Sequence, residues 1–150
     1  QSLSSAASDV YKRQKLHEEP NAYVGDFCEF LALLWYNLST CSGNRLPIGV
    51  LKTLWENLVG GGYMILLDGF SKIPYCSTEG RSLMSMDLGA YKSGVSSASI
   101  TSRLQDQSTP CPLPLPDNLI PYRSMSYVDT YIKLFYYPSN VSSIQQYFCT

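Results

Sequence analysis

The stretch from Leu66 to Asp87, LLDGFSKIPYCSTEGRSLMSMD, sets a corner that the rest of the chain must accommodate. Ahead of it, Ile48, Leu51, Trp55, Leu58 or Val59, Leu66, Phe70 and Ile73 recur at three- and four-residue steps. That spacing predicts one apolar stripe of an amphipathic helix. Pro74 ends the helix, because its ring removes an N–H and pushes the preceding residue out of the helical region. Ser77 or Thr78 then offers a hydroxyl to the open N–H groups of a second helix. Glu79 follows in the first turn, where negative charge meets the positive end of the helix dipole. Leu83, Met84, Leu88 and Tyr91 give this second helix its apolar face.

Within the first helix pattern, Pro47 suits the opening turn, where its missing N–H costs nothing. Gly60-Gly61-Gly62 interrupts the pattern. Each mid-helix glycine costs roughly 1 kcal/mol against alanine, so the triplet predicts a kink or a close helix approach. A nucleotide-binding or enzymatic helical domain using Gly60–Gly62 is the alternative reading. It lacks GxxxxGK[ST], GxGxxG and a preceding strand pattern.

Upstream, Ser4–Gln14 (SSAASDVYKRQ) matches the conceptual translation of a transposase-type sequencing adapter. Residues 1–14 are therefore set aside from fold reasoning, and the chain is expected to be a fragment whose native start is missing. Lys15–Gly25 reads as a loop containing His17, the only histidine. Asp26 is the expected cap of a helix through FCEFLALLWYNL, which is apolar on nearly every face and so packed on several neighbours. The Ser39–Asn44 cluster is its expected stop.

Ser93–Pro121 shifts to Ser, Thr, Gln and Pro. Its prolines exclude regular helix and favour extended linker structure, predicting a disordered insertion over 93–122. Ser126 is the expected cap of a further helix, YVDTYIKLFYY, packing through Val128, Tyr131, Ile132 and Phe135. Pro138 stops it, and Asn140 caps a short truncated one. Residues 15–92 and 123–150 are thus two parts of one all-α domain, a helical bundle or helical-rod segment.

Chemistry is sparse. No HExxH or GxSxG is present, and no Cys/His/Asp set converges. The five cysteines, without CxxC spacing, fit neither zinc nor a disulfide framework and read as reduced thiols. Two N-x-S sequons, at Asn37 and Asn140, leave a secreted, disulfide-linked domain as a third reading. The net charge of -1 and scattered basic residues give no case for nucleic acid. The longest apolar runs fall far short of the roughly 20 residues of a membrane span. No cofactor, metal site or catalytic residue is expected. Charged residues make up only 15% against 45% hydrophobic, which points to surfaces that meet other protein. Asp68, Asp87 and Asp129 are expected as caps or ion-pair partners. Arg81 is expected to tie helices through an internal carboxylate, Asp68 or Asp129, with a partner-binding anchor as the alternative.

LDGFSKIPYCSTEGRSLMSMD resembles the syndetin C-terminal domain family. The matching positions are Gly69, Phe70, Lys72, Cys76, Ser77, Glu79, Gly80, Arg81, Leu83, Met84 and Asp87. A second stretch, on Val128, Asp129, Thr130, Tyr131, Ile132, Lys133, Phe135 and Tyr136, is similar to the family's Val-acidic-Thr-Tyr-Ile-Lys-x-aromatic-Tyr, and Trp55-Glu56 also fits. The resemblance covers Leu46–Tyr137 less the Pro-rich segment. The long insertion, the glycine triplet and the absence of the family's further helices after Pro138 depart from the pattern.

The resemblance implies a non-enzymatic subunit of a vesicle-tethering assembly, the endosome-associated recycling protein complex. It implies other helical-rod subunits as partners, SNAREs among the candidates, and a cytoplasmic location peripheral to recycling endosomes and the trans-Golgi network. Gly69, Cys76, Glu79, Gly80, Arg81, Leu83, Met84, Asp87, Asp129, Tyr131, Lys133 and Tyr136 become its structural or interaction candidates.

Overall fold

A computed structural model describes residues 19–41, 46–105 and 121–134. These form five helices and no strand: α1 (Ala22–Cys41), α2 (Ile48–Ser71), α3 (Thr78–Gly94), α4 (Ser97–Leu104) and α5 (Tyr122–Leu134). The all-α expectation holds among the described residues. The adapter-like stretch, His17, Phe135, Tyr136 and the expected helix after Asn140 lie outside them.

α1 lies against α2, α3 and α4, while α5 packs on α2 and α3. One buried cluster runs through all five helices. Its largest fully buried side chains include Trp35 on α1, Trp55 and Tyr63 on α2, and Tyr91 on α3. Trp35 and Trp55 meet edge to face at 5.5 Å, and Tyr63 and Tyr91 at 4.8 Å. Such pairs each contribute about 1 kcal/mol beyond the area they bury.

The corner forms as its residues dictate. α2 stops at Ser71, with Lys72 and Ile73 closing its last turn onto the Gly69 and Phe70 carbonyls. Ser77 is the N-cap of α3, its hydroxyl accepting from the Gly80 N–H at 3.0 Å. Leu83, Met84, Leu88 and Tyr91 are all buried, as their spacing predicts. Pro47 stands one residue ahead of α2, and its carbonyl accepts from the N–H groups of Val50 and Leu51. The glycine triplet does not interrupt α2, which is helical from Ile48 to Ser71.

Three boundaries differ from expectation. α1 begins at Ala22, so Asp26 lies inside the helix and is not its cap, and Ala22–Gly25 is helix, not loop. α1 ends at Cys41, inside the Ser39–Asn44 cluster expected to stop it, with the Ser39 hydroxyl folded back to the Trp35 carbonyl at 2.7 Å. α5 begins at Tyr122, so Ser126 is interior. The opening of the predicted insertion is helix α4, capped by the Ser96 hydroxyl accepting from Ser99. The prolines that exclude helix all stand at 110 or later, whereas SASITSRL has none and buries Ile100 and Leu104 one turn apart. Residues 106–120 lie outside the described set.

Candidate functional site

The candidate site is a joint where α3 holds the start of α1, together with the corner that leads into it. Asp87 is wholly buried, and its two carboxylate oxygens accept from donors on Asn21 and Tyr23. The Asn21 backbone N–H reaches Oδ1 at 2.8 Å, the Asn21 amide reaches Oδ2 at 2.7 Å, and the Tyr23 hydroxyl reaches Oδ2 at 2.9 Å. Asp87 thus tethers the opening of another helix. A buried carboxylate is tolerated because its lone pairs are met by hydrogen bonds.

The corner residues sit at the start of α3. Glu79 is held below the usual carboxylate range by its own backbone N–H, then by the Ser77 hydroxyl. The Arg81 guanidinium donates to Thr78 Oγ1 at 3.3 Å. The two carboxylates expected for Arg81, Asp68 and Asp129, each hold a nearby lysine. Asp68 takes Lys72 and Asp129 takes Lys133, each within its own helix and each exposed. A lysine four residues away in the same helix reaches these carboxylates without bridging two elements.

Cys76 is half-buried, and desolvation pushes its thiol up against the opposing pull of Arg81. Tyr131 lies near it on α5, its hydroxyl donating to the Phe70 carbonyl at 3.4 Å. Gly69, Cys76 and Tyr131 therefore gather where α2 ends, while Leu83 and Met84 belong to the core and Gly80 is buried beneath the cap. Asp87 faces elsewhere, toward α1. Tyr136 falls outside the described residues.

The glycine triplet resolves into three different positions. A Cβ on Gly62 would lie 2.0 Å from the Tyr91 hydroxyl oxygen and 2.8 Å from Phe27. The missing side chain lets the Tyr91 hydroxyl reach the Val59 carbonyl at 3.0 Å. Gly60 faces Ser124 and Pro121, with room for a methyl group, and nothing approaches Gly61 within 4 Å. A phosphate cradle needs loop N–H groups, and this triplet lies inside a helix. Gly94 is a second close approach, its Cβ position 2.4 Å from the Cys28 sulfur. Burial raises the Cys28 thiol's pKa, opposed by Arg103.

Sequence reasoning missed Asn21, Tyr23 and Gly94, while the close helix approach expected of the glycine triplet is made at Gly62. The signal for Asn21 was present: Val24, Cys28, Leu31 and Trp35 follow it at helical spacing, and asparagine is a favoured cap. No local signal marks Gly94, and none singles out Gly62 within the triplet, because both constraints come from other helices.

Among the described residues no group of His, Cys, Asp and Glu could hold a metal, and no helix is long and apolar enough to cross a membrane. The family model described as "Syndetin, C-terminal" matches residues 1–147. The chain belongs to the syndetin C-terminal family. Syndetin of Mus musculus is 28% identical over 96 residues, which is 64% of this chain and 8% of that protein. Syndetin of Gallus gallus is 29% identical over 96 residues, again 64% of this chain and 8% of the relative. The chain thus spans about 8% of the length of these curated relatives. No solved structure matches it. In syndetin-family terms, the first recognised stretch lies on α2–α3 and the described part of the second, Val128–Lys133, on α5, and Tyr131 links them across the end of α2.

Proposed function

We infer that this chain is a contact-making part of a vesicle-tethering subunit, acting in endocytic recycling through helix-mediated binding to other helical-rod subunits. The carrying observation is the syndetin family match over residues 1–147. The structure is consistent with the reading. Among the described residues, Ser77 and Ser96 cap helices, Asp68 and Asp129 pair with lysines four residues away, and Asp87 holds the start of α1. Apolar groups such as Tyr75 at the corner, 85% exposed, remain available to a partner. On this reading the protein is not an enzyme and takes no cofactor. It works peripherally to recycling endosomes and the trans-Golgi network, and SNAREs are further candidate partners.

The test is affinity capture of the protein at the length of its syndetin relatives. Stable co-purification of the other tethering subunits is expected. Recovery of none of them would remove the assignment.

A further inference from the structure

α2 and α5 run side by side in the same direction. Gly60 faces Ser124 and Pro121 at the start of their seam, and the Tyr131 hydroxyl meets the Phe70 carbonyl at its far end. On α2, Gly60, Met64, Leu67 and Ser71 follow one another at three- and four-residue steps, and on α5 so do Ser124, Tyr127, Tyr131 and Leu134. Each set forms one stripe of its helix, so Met64 and Leu67 lie level with Tyr127 along the seam. The seam is not closed over. Met64 is 46% exposed and Tyr127 45%, while Leu67 and Leu134 are half-buried. Neither stripe carries a charged side chain. Together they form an apolar groove about 15 Å long, the rise of the helix from Gly60 to Phe70.

The sequence that follows α5 fits this groove in position, charge and length. Leu134 is less than a turn past Tyr131, so the chain leaves α5 at the Phe70 end of the seam. Residues 135–150 contain no Asp, Glu, Lys or Arg and carry five aromatic rings. A segment kept in water is normally rich in charge and poor in aromatics. Val141, Ile144 and Phe148 recur at helical spacing, with Ser142, Ser143, Gln145 and Gln146 on the other side. Pro138 ahead of Asn140 provides the break at which the chain can reverse. A helix over Val141–Cys149 is about 13 Å long, close to the length of the groove. The syndetin family match also continues past Leu134 to residue 147, so the family domain takes this segment in.

We propose that residues 141–149 fold back as a short helix, antiparallel to α2 and α5, and bury their apolar face in the groove between them. Ile144 and Phe148 then cover the Met64 and Tyr127 side chains, and the serines and glutamines stay in water. The occupant is this chain's own segment because its point of departure, its length and its lack of charge all match the groove. The acidic groups nearest in sequence, Asp68 and Asp129, already hold Lys72 and Lys133, so nothing along the groove selects a charged partner. A helix of another protein would have to displace the segment to bind here. The inference does not depend on the tethering role, since it concerns the packing of this chain alone.

The test is hydrogen–deuterium exchange of the whole 150-residue chain, read by mass spectrometry at concentrations where sedimentation shows a monomer. Amides of 141–149 are expected to exchange at least about tenfold more slowly than in the same sequence as a free peptide, because a packed segment exchanges only when it opens. Met64→Lys and Tyr127→Lys, both at exposed positions, should return them to the free-peptide rate, and Ile144→Lys should do the same from the segment's side. Val50→Lys, exposed on α2 but outside the groove, should leave the protection in place. Exchange at the free-peptide rate in the parent chain overturns the proposal and leaves the groove to a helix of another protein. Protection that survives the three groove substitutions, or that arises only in a dimer, overturns it equally.

Discussion

At the scale of single residues, the structure turns on groups whose neighbours lie far away in sequence. Asp87 is expected to be the most sensitive polar position. Asp87→Ala would leave the Asn21 and Tyr23 donors without their acceptor and should cost about 3 kcal/mol, allowing for partial rehydration of the first turn of α1. Urea titration should show this, with Asn21→Ala costing less because Tyr23 keeps its bond. The glycines separate more sharply. Gly62→Ala would drive a methyl group into the Tyr91 hydroxyl and should cost about 3 kcal/mol or more, or prevent folding. Gly61→Ala, one residue away, meets open space and should stabilise the monomer by about 1 kcal/mol. Equal effects from the two substitutions would contradict the packing of Tyr91 against α2.

At the scale of elements, the start of α3 should respond to both substitution and pH. Ser77→Ala removes the acceptor for the Gly80 N–H and should cost about 1 kcal/mol. It also removes one of the hydrogen bonds that lower Glu79. A depressed carboxylate contributes stability that is present above its unfolded value of about 4.5 and is lost as pH falls through the folded value. The variant should therefore lose less stability than the parent between neutral and acid pH, measured as the difference in denaturation midpoints.

The corner and the face of α3 were legible in the sequence because a proline, a capping serine and helical spacing are all local signals. The beginning of α1 was legible only in part: Asn21 and the helical spacing of Val24, Cys28, Leu31 and Trp35 mark it, but the contact that holds its first turn comes from Asp87, distant in sequence. Asp26 looked like a cap only by its residue type. The helix α4 was hidden by the composition of a segment whose prolines all come later. Lys72 and Lys133 stand one turn from Asp68 and Asp129 and pair with them, a local choice that residue type alone did not show. Residue types can nominate a carboxylate as a partner. Distance decides which partner it takes.

At the scale of the whole molecule, the aromatic centre joins α1, α2 and α3 through Phe27, Tyr63 and Tyr91. Burial, followed by the nearby Cys28 thiol, pushes the Tyr63 hydroxyl up to about 12 from its ordinary 10.0. Tyr91 moves in the same direction, also chiefly through burial. A phenol whose folded pKa is raised contributes stability that is intact below the unfolded value and lost as pH rises through the folded one. Cooperative alkaline unfolding is therefore expected to set in above about pH 10 and to coincide with tyrosine ionisation followed by ultraviolet absorbance. Smooth ionisation without unfolding would show that these hydroxyls are not enclosed.

The functional reading also belongs to this scale, because the family match runs along the chain and is not confined to one site. Its most direct test is binding of the purified chain, verified as helical by circular dichroism, to each purified helical-rod subunit of the tethering complex in turn. The account predicts saturable binding to at least one of them. A folded chain that binds none, while the full-length protein binds them normally, would contradict it.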